Sequence, residues 1–316
     1  MKEEVFQDIN RGQFMQNFSP KGPAMRARAF ALVMHAGQLY DGKPYIFHLD
    51  RVAELAWEAW GCELLVAAAY LHDVIEDTPC DASRLAMLFG IRIATNVYSV
   101  TGVGETRKEK QQSIVRKLQS MFDARKLKLV DRVANVEYSI LTGNAKKLAM
   151  YRKEEPIYHK LFASLNHPLA LRLEAMLLPP SEGLCVCVLV ERDGKQLAVQ
   201  RRHRPEFLGL PGGKVDPGEV PVMAAIRELY EETGYHVRLE DLQLVYCAPD
   251  ETGVVTATFL AKAQPDWPED TVGPEGTRVA FVAPEELTSP QTSEFAIYNE
   301  AMLDVLLTQR QLIPLL

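Results

Sequence analysis

Two sets of side chains in this chain have the types and spacing to do chemistry. The first runs from Gly213 through Glu219 to Arg227, Glu228, Glu231, Glu232 and Gly234. On a helix, Glu228 to Glu231 and Glu228 to Glu232 are steps of three and four residues, so the three carboxylates share one face. Such a face repels itself. A divalent cation relieves the repulsion, and Mg²⁺ suits it because it takes oxygen ligands and keeps positions open for water and phosphate. Gly212, Gly213 and Gly218 let the preceding loop bend Glu219 toward that face, and Gly234 is placed to end the helix. A solvated acidic helix is the plainer alternative, and the spacing argues against it.

The second set lies in the other half of the chain. His72-Asp73 and Glu76-Asp77 follow the apolar run Leu64–Leu71, which predicts one helix from Glu63 to Glu76 carrying both polar pairs on one side. Burying those groups without a partner costs several kcal/mol, and a metal ion is the simplest compensation for a His-Asp pair. His48 and Asp131 interrupt two further apolar helical stretches. Alone, each has a plain reading, a core histidine and a surface ion pair with Arg132. With His72-Asp73 they make a ligand set in which neutral imidazoles and hard carboxylates suit Mn²⁺ or a similar metal.

The elements that must hold these groups are legible in outline. Helices are expected over Ala24–Gln38, Tyr45–Trp60, Glu63–Glu76, Ala82–Phe89 and Ile91–Val100, and the first half reads as all-helical. Pro179-Pro180 marks the boundary, dividing residues 1–179 from 180–316. Beyond it come a strand over Gly183–Val190, a turn at Asp193-Gly194, a second strand over Gln196–Gln200, and then loop and helix. Arg201, Arg202, His203 and Arg204 precede the glycine loop, where they either meet substrate phosphates or form a solvated loop. Glu275 reads as a surface residue or as a further ligand or base.

Composition narrows the partners. The 316 residues are 47% hydrophobic and 24% charged, ordinary for a globular protein with two cores. No apolar run approaches the ~20 residues needed to cross a bilayer. Met1-Lys2-Glu3-Glu4 lacks a secretory signal, so a cytoplasmic location is expected. The five cysteines, Cys62, Cys80, Cys185, Cys187 and Cys247, show no Cys-x-x-Cys spacing and read as free thiols. The first half carries 24 basic and 20 acidic residues and the second 11 and 22, so neither is built for polymeric nucleic acid. A small phosphorylated nucleotide is the expected partner, with no membrane; oligomeric state is not legible.

The glycine and carboxylate pattern of Gly213, Glu219, Arg227, Glu228, Glu231, Glu232 and Gly234 resembles the Nudix box, departing only at Tyr235, where the pattern prefers an aliphatic residue. The resemblance implies an α/β/α sandwich over about residues 180 to 316. It also implies Mg²⁺ or Mn²⁺ held by Glu228, Glu231 and Glu232, a catalytic role for Glu231, and hydrolysis of a nucleoside diphosphate derivative or triphosphate.

The order His48, His72-Asp73, Asp131 is similar to that of HD-domain phosphohydrolases. His35-Ala-Gly-Gln38, Gly42–His48, Leu71–Thr78, Val100-Thr101 and Leu127–Asn135 look like blocks of the RelA/SpoT-type alarmone hydrolase domain, in its small hydrolase-only form. That resemblance implies a helical bundle with Mn²⁺ held by His48, His72, Asp73 and Asp131. Glu76 and Asp77 would position and activate water, Asn135 would contact the nucleotide, and 3′ pyrophosphate would leave a (p)ppGpp-like substrate. His35 falls outside the ligand positions and reads as structural. Where that family carries basic residues before the Gly-x-Pro-Tyr segment this chain has Leu39-Tyr40, and Tyr40 would stack on either purine. The whole reading is a bifunctional metal-dependent hydrolase. The alternatives are a Nudix hydrolase of damaged dNTPs or nucleotide sugars fused to an HD half acting on NADPH or ppApp, or one half serving as a nucleotide sensor.

Overall fold

The computed structural model describes residues 14–312; Met1-Lys2-Glu3-Glu4, read above for a secretory signal, lies outside them. These residues form two compact units, one reaching to Ala170 and one starting at Leu171. The division falls inside the helix Pro168–Leu177, and the proline pair Pro179-Pro180 follows that helix outside any helix or strand.

The first unit is a helical bundle. Its helices are α1 Pro23–Met34, α2 Ile46–Trp60, α3 Glu63–Leu71, α4 Val74–Asp77, α5 Ala82–Phe89, α6 Ile91–Val100, α7 Arg107–Leu118, α8 Phe122–Leu141 and α9 Ala145–Ala163, followed by α10 Pro168–Leu177. Local chemistry sets the ends. Gly61, in the left-handed region at φ 54°, closes α2, and Asp81 caps α5 by accepting the Arg84 N–H at 2.8 Å. Thr106 and Glu109 form a reciprocal capping box at the start of α7. Leu49, Val52 and Ala56 of α2, Val66 to Leu71 of α3, and Leu127, Val130 and Ala134 of α8 fill the core between those three helices.

The helical reading of this unit holds, with one short hairpin beside the helices: β1 Leu39–Tyr40 pairs antiparallel with β2 Lys43–Pro44 across Asp41 and Gly42, both at positive φ. One expectation needs correction, because Glu63–Glu76 is not one helix: α3 stops at Leu71 and α4 starts at Val74. His72 Nδ1 bonds the Ala69 carbonyl at 2.8 Å, which is the acceptor a continuing helix would give to the Asp73 N–H. Across the break His72 and Asp73 keep helical φ and ψ and the Asp77 N–H bonds the Asp73 carbonyl, so Asp73, Glu76 and Asp77 still line one cleft.

The second unit is built on one mixed sheet. Its strands are β3 Cys185–Arg192, β4 Lys195–Gln200, β5 Leu208–Gly209, β6 Gly212–Lys214, β7 Gln243–Pro249, β8 Val255–Lys262, β9 Asp270–Val272 and β10 Arg278–Val282. The order is β7-β8-β3-β4-β10-β9, with β5 on β4 and β6 on β3. β3 and β8 are parallel and the other pairs antiparallel. Asp193 and Gly194, at φ 49° and 77°, make the tight turn joining β3 to β4.

Alternation along β3 builds the layers. Cys187 and Leu189 pack with Tyr298, Met302 and Leu306 of the C-terminal helix, while α11 Pro221–Thr233 packs against β3 and β6. β3 therefore reads as an unbroken apolar run from Val186 to Val190, buried on both faces. Each such Val or Leu contributes about 2 kcal/mol by burial. The helices α12 Pro284–Thr288 and α13 Ala296–Leu312 complete the unit. A helical bundle followed by an α/β/α sandwich is the observed fold.

Candidate active sites

In the helical unit, α2 supplies His48, the α3–α4 break supplies His72 and Asp73, and α8 supplies Asp131. His72 Nε2 lies 3.0 Å from Asp73 Oδ2 and 3.4 Å from Asp131 Oδ1. His48 Nε2 lies 3.5 Å from the same Asp131 oxygen and 4.0 Å from Asp73 Oδ2. Among the described residues, His48, His72 and Asp73 form the one group of three or more candidate ligand atoms all within 4.8 Å of one another.

The tautomer tests whether a cation fits. With Nδ1 donating to the Ala69 carbonyl, the neutral form of His72 directs the lone pair of Nε2 at the space beside the two carboxylates, where a cation could take it. That nitrogen is buried and makes no aligned hydrogen bond, despite its 3.0 Å approach to Asp73. Two ring nitrogens brought this close to the carboxylates of Asp73 and Asp131 have the chemistry of a divalent-metal donor set.

The surroundings hold the set in place. Burial opposes ionisation of Asp131, but the Lys128 ammonium, with Nζ 2.8 Å from Oδ2, favours it, and the carboxyl lies well below its usual range. Asn135 Nδ2 donates to Asp131 Oδ1 at 2.6 Å. Tyr45 OH lies 2.7 Å from Asp73 Oδ2 and 3.2 Å from Asp77 Oδ2. His35 stacks on the Tyr45 ring and bonds Gln38 through Nδ1, so it sits behind Tyr45. The plain reading of Asp131 as a surface partner of Arg132 does not hold, since both are buried and Arg132 pairs with Glu154 at 3.1 Å.

Glu76 and Asp77 line the same cleft, of about 400 Å³, but their surroundings differ. Glu76 is engaged by Lys110 Nζ at 3.1 Å and by the Gly102 N–H at 3.2 Å. Burial and the nearby Asp73 push the Asp77 carboxyl up. Arg107, Lys110, Lys128 and Arg132 supply the positive wall of this cleft. Sequence reasoning missed these four and Tyr45. Only Lys128 carried a local signal, standing one turn before Asp131 on an otherwise apolar stretch.

In the sandwich unit, Pro221 opens α11 at its first turn and Gly234, at φ 76°, closes it. Arg227 gathers three of the expected carboxylates, reaching Glu219 at 2.9 and 3.0 Å, Glu228 at 2.6 Å and Glu231 at 3.1 Å. Glu232 is not among them and accepts the Gly212 N–H at 2.8 Å, beside Glu228 at Gly213. Burial, reinforced by Glu228 and Glu275, pushes its carboxyl up to about 7. The four carboxylates are thus shared between a guanidinium and a backbone amide. Gly213 leaves the room this needs, because a Cβ there would stand 2.5 Å from the Glu228 carboxylate. Tyr235, the departure from the box, stacks on Trp267 at 4.3 Å and donates to the Pro268 carbonyl.

Arg201, Arg202 and Glu275 line a cavity of about 310 Å³ together with Glu232. Arg202 pairs with Glu275 at 3.1 Å and Arg204 with Glu294 at 2.8 Å, while Arg201 lies over the Phe295 ring. Glu275 is therefore brought to the box side of the sheet, although it follows Glu232 by more than 40 residues. All five cysteines are free. No helix among the described residues is long and apolar enough to cross a membrane.

Comparison with known proteins agrees with both halves. A model of the HD domain matches residues 27–171, and a model of the NUDIX domain matches residues 182–310. The two halves thus match two different domain models, HD in the first and NUDIX in the second. The chain belongs to the Nudix family through its second half. There it is 32% identical over 120 residues to a MutT-like protein of Streptomyces ambofaciens, covering 38% of this chain and 75% of that one. The first half is 31% identical over 163 residues to a probable guanosine-3′,5′-bis(diphosphate) 3′-pyrophosphohydrolase of Synechocystis sp., covering 49% of this chain. This chain spans 21% of that relative's length. A solved metazoan ortholog of SpoT, described as hydrolysing ppGpp, superposes with TM-score 0.45 at 23% identity over 51% of this chain and 99% of its own.

Proposed function

We propose that this chain is a bifunctional nucleotide hydrolase with domains 1–179 and 180–316. The HD half would remove the 3′ pyrophosphate of a (p)ppGpp-like nucleotide, and the Nudix half would cleave a nucleoside 5′ diphosphate or triphosphate. The observation that carries this reading is the meeting of His48, His72, Asp73 and Asp131 beside Glu76 and Asp77, in a cleft also lined by Arg107, Lys110, Lys128 and Arg132. Cations interleaved with candidate metal ligands in one cleft suit a pyrophosphate ester.

Mn²⁺ at the HD set and Mg²⁺ or Mn²⁺ at the Nudix set would polarise the phosphate and lower the pKa of water. The residues supply the rest. Asp77, with its carboxyl raised and the Tyr45 hydroxyl as its hydrogen-bond donor, is placed to accept the proton of attacking water. Glu76 is committed to Lys110 and Gly102 and holds the cleft wall. In the Nudix half, Arg227 keeps Glu219, Glu228 and Glu231 together, and Arg201 and Arg202 face the cavity beside Glu232, where phosphates would be held. The five free thiols favour a reducing, cytoplasmic setting.

The test is to incubate the intact protein with ppGpp, ppApp, NADPH, dNTPs and nucleotide sugars, with Mn²⁺ and with Mg²⁺, and to identify products by chromatography. Release of pyrophosphate from a 3′-pyrophosphorylated nucleotide supports the HD assignment. Turnover of none of these 3′ substrates by folded protein would overturn it.

A further inference from the structure

Tyr40 touches the candidate metal set at both ends. Its ring lies parallel to the His48 imidazole, with centroids 4.6 Å apart and planes 8° apart. Its hydroxyl donates to Asn135 Oδ1 at 2.8 Å. Asn135 in turn donates through Nδ2 to Asp131 Oδ1 at 2.6 Å and to the Asp131 carbonyl at 2.9 Å. The carboxamide therefore spends both N–H groups and one acceptor position inside this cluster.

The second face of the Tyr40 ring is also in use. With one face against His48, the Lys147 ammonium, 5.0 Å from the ring centroid, covers the other. The turn fixes this orientation, because Asp41 and Gly42 adopt positive φ and Tyr40 pairs with Lys43. A ring capped on both sides has no face to offer a base.

We infer that Tyr40 is a positioning residue that sets His48 and, through Asn135, Asp131 for a divalent ion, and is not a platform for the nucleotide base. The inference rests on the metal reading of the HD half. It reassigns Tyr40 and Asn135, the two residues that the sequence had pointed to as nucleotide contacts in this half. Packing against the ring keeps the His48 plane from rotating, and the hydroxyl keeps Asn135 in the flip that supports Asp131 Oδ1.

The test is Mn²⁺ binding to the full chain, followed by the electron paramagnetic resonance of free Mn²⁺, for wild type, Tyr40→Phe and Tyr40→Leu. The binding lost in His72→Ala with Asp73→Ala defines the HD component and separates it from Nudix binding. Tyr40→Phe keeps the ring and loses the hydroxyl link, so Mn²⁺ binding at the HD component should weaken a few-fold to about tenfold. Tyr40→Leu loses both contacts and should weaken it by about 10- to 100-fold. At saturating Mn²⁺, KM for a 3′-pyrophosphorylated nucleotide should stay within about twofold of wild type, since no substrate contact is removed. Unchanged Mn²⁺ binding, with or without a rise in KM, would overturn the role of Tyr40 alone. An HD component missing from wild type would overturn the metal reading and the role of Tyr40 with it. Tyr40→Phe preserves the packing, so the outcome does not depend on how the leucine variant folds.

Discussion

Lys128 and Asp131 stand one helical turn apart on α8, and the lysine ammonium meets the outer carboxylate oxygen, Oδ2, at 2.8 Å. The inner oxygen, Oδ1, faces both imidazoles. Lys128→Met would leave Asp131 buried beside Asp73 with its nearest full positive charge gone. Breaking one side of a buried pair typically costs about 3 to 5 kcal/mol. Urea denaturation without metal should show a loss of that order, and saturating Mn²⁺ should restore part of it by binding the folded state. Equal stability of variant and wild type would mean that the lysine is not needed to keep Asp131 charged.

His72→Ala with Asp73→Ala removes two of the four candidate ligands. Release of 3′ pyrophosphate should fall to background, while Nudix turnover continues at the wild-type rate. Assaying both reactions on one preparation checks this, because loss of both would point to misfolding and survival of pyrophosphate release would refute the ligand assignment.

Glu231→Gln and Glu232→Gln each remove one charge from α11 with little change of shape. Each should lower kcat of the Nudix reaction by about two orders of magnitude or more, with a smaller change in KM, since charge at the reaction centre acts mainly on the transition state. Steady-state kinetics over a range of Mg²⁺ concentrations decides the matter. Wild-type rates in both variants would make the box non-catalytic.

Discrimination between guanine and adenine in the HD half should be weak. Leu39 brings no cation to the segment, and Tyr40 and Asn135 are bound into the ligand cluster. The kcat/KM values for ppGpp and ppApp should agree within about tenfold, a gap of ~1.4 kcal/mol. A thousandfold preference for either base would locate recognition on other residues of the cleft.

Much of this protein was legible without coordinates. The helices Ala82–Phe89 and Ile91–Val100 and the turn at Asp193-Gly194 lie where periodicity and turn chemistry put them. These are short-range features, governed by capping, φ preference and the period of apolar residues. The grouping of Glu228, Glu231 and Glu232 on one helix follows from helical geometry alone, and so does its end at Gly234. The polar interruptions at His48, His72-Asp73 and Asp131 could be picked out because each breaks an apolar run.

Tertiary structure decided how those groups are used. The break between Leu71 and Val74 depends on where the His72 ring finds an acceptor, and helical periodicity carries no record of it. The burial of Arg132 against Glu154, the approach of Lys110 to Glu76 and the arrival of Glu275 beside Glu232 all join residues more than 20 positions apart. Tyr40 shows the same limit most clearly. Its sequence position suggested an aromatic surface for a base, but which groups cover its two faces was set by α2 and α9 packing around it. Local sequence determined which residues are available for chemistry. Which of them meet, and which are already spent on one another, follows from long-range packing, since a side chain's partners are chosen by the fold and not by its neighbours in the chain.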